Sequence, residues 1–162
     1  ILQIDAHADL RDQYNKSIYN HACVIARVKD LEIPFVQVGI RSMDISEKKN
    51  MNMQNVFFAH YLSPEDDFWM NQVVDAMTEN VYVTIDLDGL DPSIMPATGT
   101  PEPGGLQWSQ LMKLLNIVSN KTNIVGFDVV ELCPNKYSHQ SNFLAAKLIY
   151  KLLSYKQRYN SF

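Results

Sequence analysis

These 162 residues predict an α/β fold, a three-layer α/β/α sandwich around a mostly parallel sheet. Three observations carry that expectation. Short β-rich runs alternate with longer helical patterns. The strand candidates are near-continuously apolar, which suits strands covered on both faces. No repeat, low-complexity tract or Gly/Ser linker divides the chain, so a single domain is expected over 1–162.

In order, the strands are expected at Ile1–Asp5, Phe35–Ile40, Val56–Ala59, Val81–Asp86 and Asn123–Val130. The helices between them are expected at Asn20–Lys29, from Ser46 for a short stretch, and at Ser63–Asn80, Ser109–Asn120 and Gln140–Tyr155. Ser63-Pro64-Glu65-Asp66 reads as a helix start, with a capping Ser, Pro in the first turn and acids at the positive dipole end. The chain opens inside an apolar run, Ile1-Leu2-Gln3-Ile4, without a charged leader pattern. That start suggests part of something longer, with sheet neighbours missing beside Ile1–Asp5.

Composition excludes several classes of function. Hydrophobic residues at 46% and charged residues at 20% describe a globular protein. A net charge of -4 gives no electrostatic footprint for nucleic acid or an anionic membrane. No apolar run approaches the ~18 residues that span a bilayer. Two cysteines, Cys23 and Cys133, cannot build a disulfide scaffold, so a reducing, cytoplasmic setting is expected.

Chemistry concentrates where strands end. Asp5-Ala6-His7-Ala8-Asp9 follows the first strand, and residues two apart in extended chain share one face. Asp86-Leu87-Asp88-Gly89-Leu90-Asp91-Pro92 follows the fourth strand, and Asp128-Val129-Val130-Glu131 closes the fifth. In a parallel sheet these ends converge on one edge, where ligands of open α/β folds bind. So many carboxylates repel one another and resist desolvation, and divalent cations relieve that conflict. Asp oxygens with one imidazole suit a borderline-hard ion such as Mn(II). Carboxylates shared by two ions hold them ~3.5–4 Å apart, the spacing of two-metal hydrolytic sites.

Blander readings are weaker. An isolated Asp-x-Asp is usually a turn or cap, but here two such clusters lie on separate strands. A calcium loop starting at Asp86 would place Asp91 where Gly is required and Ala97 where Glu is required. Asp5-x-His7 also opens the metallophosphoesterase pattern, whose later Gly-Asp and Gly-Asn-His elements are absent.

These motifs resemble the signatures of the ureohydrolases, the family of arginase and agmatinase. Asp5–Asp9 and Thr84–Pro92 match two signatures, Pro96–Gly105 is similar to the substrate-side loop, and Gly126–Pro134 to the last motif, all in family order. The resemblance implies a binuclear manganese centre: Asp5 and Asp86 shared, Asp9 completing one ion's shell, His7 and Asp88 the other's. It implies attack on a guanidinium carbon by a hydroxide bridging the ions. Asp88 would then protonate the departing amine. His21 would shuttle protons, although a His at a helix start is by itself more often a cap or core residue. Glu131 would hold the substrate guanidinium through paired donors. His60 and His139 match no motif. The family's earlier Gly-Gly-Asp-His motif has no counterpart within the chain, so the resemblance covers the C-terminal portion of one domain and leaves one ion short of a histidine.

The loop Leu10–Tyr19 looks more like agmatinase than arginase, lacking the clamp that grips an amino acid's α-groups. Agmatine, cleaved to urea and putrescine, is the expected substrate. Guanidinobutyrate is the alternative, with Arg11 receiving its carboxylate, and a non-catalytic remnant of the fold is the reading from another class. A homo-oligomer is expected from the resemblance. The isolated chain is expected to expose an unpaired edge beside Ile1–Asp5, to self-associate, to hold about one metal and to act poorly on guanidino compounds.

Overall fold

The computed structural model describes residues 1–63 and 66–159. Its centre is a five-stranded, wholly parallel sheet in the order β3-β2-β1-β4-β5. The strands are β1 (Leu2–Ile4), β2 (Val36–Ile40), β3 (Val56–Phe58), β4 (Asn80–Asp86) and β5 (Asn123–Val130). Each matches its expected run to within a residue or so at either end, and β5 matches at both.

One expectation fails. β1 is not a bare edge but the middle strand, with Leu2–Ile4 in register against Val36–Val38 on one side and Val83–Ile85 on the other. In that middle position Leu2, Gln3 and Ile4 are all buried. The sheet edges are β3 and β5.

Among the described residues, four α-helices connect or flank the strands: α1 (Val24–Asp30), α2 (Phe68–Asp75), α3 (Trp108–Lys121) and α4 (Gln140–Tyr159). In α3, Leu111, Leu114, Leu115 and Val118 form the buried stripe expected at helical spacing. Its first turn is closed by Gln107 N–H donating to the Gln110 side chain at 2.9 Å. In α4 the buried stripe is Ser141, Ala145, Leu148 and Leu152. Three differences from expectation have local causes. The helix expected from Asn20 begins as a 3₁₀ turn, His21–Cys23, because the Asn20 side chain accepts from Ala22 N–H. The short helix near Ser46 is also a 3₁₀ turn, Ile45–Asn50, capped reciprocally by Asp44 and Glu47. α2 is shorter than Ser63–Asn80, since its buried stripe of Trp69, Met70, Val73 and Val74 spans only two turns. The Pro64-Glu65 part of the expected helix start lies outside the described residues, and Asp66 accepts from Phe68 N–H where α2 begins.

The core divides in two. Leu2, Ile4, Val81, Val83 and Ile85 pack with α2, α3 and α4 in the larger cluster. Leu10, Ile25, Ile40 and Val56 form a smaller one around α1. The strands are not equally covered, contrary to their apolar patterning. β4 alternates buried and accessible positions, and on β5 Val125 and Val130 are exposed. One sheet face carries a polar row instead. Gln37, Gln3, Thr84 and Asp128 stand opposite one another in register across β2, β1, β4 and β5.

Candidate metal centre

The C-terminal ends of β1, β4 and β5 open into one cavity of about 710 Å³. Asp5, His7, Asp9, His21, Asp86, Asp88 and Glu131 all line it, with Gln3, Arg11, Tyr14, Asp44, Glu47, Thr84, Thr100 and Asp128. Every site residue expected from sequence therefore faces the same space. His60 and His139 are exposed and lie outside that lining.

Close approach of two loops builds the centre. Gly89, in the turn after β4, sits so near β1 that a Cβ there would lie 2.9 Å from the Asp5 nitrogen. That contact lets Asp88 Oδ1 accept from Ala6 N–H at 3.1 Å. His7 Nδ1 then lies 3.1 Å from Asp88 Oδ2 and 3.6 Å from Asp5 Oδ1. Among the described residues, Asp5, His7 and Asp88 each offer a donor atom within 4.8 Å of the others. Asp9 and Asp86 line the cavity without joining that tight group.

The carboxylates are held by directed donors. Asp5 Oδ1 accepts from His7 N–H at 2.6 Å and Oδ2 from Gln3 Nε2 at 2.7 Å. Gln3 Oε1 in turn accepts from Gln37 Nε2 at 2.6 Å, so buried amides two strands wide orient the acid. Asp86 Oδ1 accepts from Asp88 N–H at 2.9 Å. Thr84 Oγ1 donates to Asp128 at 2.7 Å, and Thr100 Oγ1 to Asp88 at 3.2 Å. Asp9 has φ 54, which turns the chain sharply after the motif and brings its carboxyl into the cavity.

Charge crowding shows in the acidities. Burial, then Asp5 and Asp88, push Asp86 up to about 9. Burial and Asp5 push Asp9 up to about 8, and burial pushes Asp5 up to about 6. His7, hydrogen-bonded to Asp5 and then Asp88, rises to about 10. Burial opposes ionisation of Asp88, but His7 and the Ala6 amide together keep it below the usual carboxylate range. Four acids around one imidazole, most of them penalised for ionising, form a donor set that divalent cations fit.

The rest of the rim is set by loops. Glu131 follows β5 in a left-handed conformation, φ 63, and its Oε2 would lie 3.8 Å from a Cβ at Gly99, so the last motif meets the 96–105 loop. His21 is exposed on its 3₁₀ turn, its ring edge-on to Tyr14 at 5.9 Å between centroids.

Sequence reasoning missed several residues that support this site. Gln3 and Gln37 are buried amides inside apolar strands, a signal that was legible as polar breaks in those runs. Glu47 is buried and accepts from Leu10 and Asp44 N–H groups at 2.8 and 2.6 Å. Arg41 is bonded wholly to backbone carbonyls, a role with no sequence signature.

Comparison with known proteins agrees with the motifs. The arginase family model matches residues 1–154. The N(1)-aminopropylagmatine ureohydrolase of Synechocystis sp. is 39% identical over 161 residues, covering 96% of this chain and 51% of that protein. The agmatine ureohydrolase of Thermoplasma volcanium superposes with a TM-score of 0.84 at 35% identity, over 98% of this chain and 55% of that one. Proclavaminate amidino hydrolase from Streptomyces clavuligerus gives 0.88 at 27% identity, over 98% of this chain and 56% of that one. The chain thus spans about half the length of the curated relatives it matches. Ordered motifs, a matching parallel sheet and a family model spanning nearly every residue lead to one conclusion: this chain belongs to the arginase family.

Proposed function

We propose that the protein carrying this chain is a manganese-dependent ureohydrolase that cleaves agmatine to urea and putrescine, and that residues 1–162 are the C-terminal portion of its single domain. One observation carries the reading: four carboxylates, His7, His21 and Glu131 line a single cavity. Asp5, Asp86 and Asp9 would hold one ion, and Asp5, Asp86, His7 and Asp88 a second. When bound, such ions supply positive charge and lower the pKa of a water aimed at the guanidinium carbon. Glu131 accepts the guanidinium donors and orients that carbon over the acids. Asp88, ionised at rest, accepts the proton that the attacking water gives up and passes it to the departing amine, and His21, exposed at the rim, carries protons to and from solvent.

The tail of the substrate is read from Arg11. Its Nη2 lies 3.9 Å from Asp44 and its Nε 4.0 Å from Glu47, so its charge is already offset. A wall where two acids face one committed cation favours a substrate ending in an amine over guanidinobutyrate, which ends in a carboxylate. The relatives named for aminopropylagmatine support an amine-ended substrate as well. Urea release from agmatine, N(1)-aminopropylagmatine, arginine and 4-guanidinobutyrate should be compared on the complete protein. Agmatine should lead. Faster release from 4-guanidinobutyrate or arginine would overturn the assignment, and no release from any of the four would favour a non-catalytic member of the family.

A further inference from the structure

Arg41 follows β2 and is half-buried beneath the carboxylate cluster. Among the described residues, no carboxylate pairs directly with its guanidinium. Instead Nη2 donates to the carbonyls of Asp88 at 2.6 Å and Glu102 at 2.7 Å. Nη1 donates to Gly39 O at 3.0 Å and Nε to Pro103 O at 3.1 Å. The backbone N–H of the same residue donates to Ala6 O at 2.9 Å, inside the first acidic motif. One residue therefore bonds to the loop of Asp5 and His7, to the turn of Asp88 and to the 96–105 loop.

The surroundings are fitted to that fork. A Cβ on Gly105 would lie 2.6 Å from Arg41 Nη2 and as near the Leu90–Asp91 backbone, at 2.6 and 2.7 Å, so the loop passes close beside the guanidinium there. A planar group with five donors can satisfy diverging carbonyls at once, which an ammonium cannot.

We propose that Arg41 is a positioning residue that locks the Asp88 turn and the 102–103 segment onto the Asp5–His7 loop, and so sets manganese affinity without touching metal or substrate. The proposal rests on the metal-binding reading of the Asp5, His7 and Asp88 cluster. Groups that orient ligands from behind are worth about 10–100-fold in metal affinity or activity.

The test is Mn(II) titration, followed by the loss of its free-ion electron paramagnetic resonance signal, on the complete protein and on Arg41→Met, Arg41→Lys and Asp5→Asn, with folding checked by circular dichroism. Arg41→Met should bind Mn(II) about 10–100-fold more weakly. Arg41→Lys, which keeps charge but loses the fork, should still be weakened about tenfold while melting near the wild-type temperature. If Arg41→Met does not fold, Arg41→Lys alone carries the comparison. Wild-type affinity in folded Arg41→Lys, with binding lost in Asp5→Asn, would overturn the role of Arg41 and leave the metal reading standing. Equal affinity in wild type and Asp5→Asn would instead remove the metal reading itself.

Discussion

Nδ1 of His7 lies 3.1 Å from Oδ2 of Asp88, joining the end of β1 to the turn after β4. The contact makes imidazolium the local counter-charge to the acids, which is why His7 is held protonated up to about 10 by Asp5 and Asp88. A cation binding there must take over that duty, because a ligating imidazole is neutral.

Metal binding should therefore release protons. His7 titrates at about 10, Asp86 at about 9 and Asp9 at about 8, so near neutral pH each holds a proton that coordination displaces. Manganese affinity should rise steadily from pH ~6 to ~9. Calorimetric titrations in buffers of different ionisation enthalpy should show the released protons directly. Affinity independent of pH over that window would count against His7, Asp86 and Asp9 as ligands.

Stability in the presence of chelator should fall with rising pH. His7 has a folded pKa raised above 6.5, so its contribution is full below that value and is lost as pH climbs through about 10. Asp9 and Asp86 are raised from 3.8 to about 8 and about 9, so the folded state binds more protons than the unfolded state between those limits. Both groups therefore act in the same direction. Asp88, held low, acts oppositely, and its contribution is lost only as pH falls below the ordinary carboxylate range. Denaturant midpoints measured with chelator should be lower at pH ~9 than at ~5, and manganese should narrow the gap.

Gly89→Ala should disrupt the centre without removing a single polar group. The added methyl would lie 2.9 Å from the Asp5 nitrogen and 3.1 Å from its Cα, which are backbone atoms with little freedom to yield. A loss of about 1–3 kcal/mol is expected from overpacking, together with weaker metal binding as the two motifs separate. A variant with unchanged melting temperature and metal content would show that the loops can part freely.

Much of this was legible from order and spacing, and the rest was not for definite reasons. The alternation of apolar runs and helices located five parallel strands, and Asp5-x-His7 with Asp86-x-Asp88 pointed to the cavity those four residues line. The position of β1 is not legible, because an apolar run at the start of a chain looks the same whether it is an edge or a middle strand. Its partners Val36–Val38 and Val83–Ile85 are distant in sequence. Arg41 was illegible because its acceptors are main-chain carbonyls, which every residue type carries. Gln3 and Gln37 could have been noticed, since two amides breaking apolar strands predict either a conflict or a polar partner.

His21→Ala should lower turnover by roughly 10²–10⁴, the usual range for a group that handles protons. His21 is exposed at the rim and outside the tight Asp5–His7–Asp88 group, so manganese content should stay unchanged. Metal lost together with activity would reassign it as a ligand.

The manganese content of the complete protein beside its Asp5→Asn and Asp86→Asn variants tests the central claim most directly. Each protein is equilibrated with Mn(II), freed of loosely held ion and analysed for metal per chain. Asp5 Oδ1 accepts from His7 N–H and Oδ2 from Gln3 Nε2, so an amide of the same size removes the charge and one of those two acceptors while keeping volume. The account predicts about two ions per wild-type chain and a loss of bound metal in both variants. Wild-type metal content in both Asn variants would contradict it.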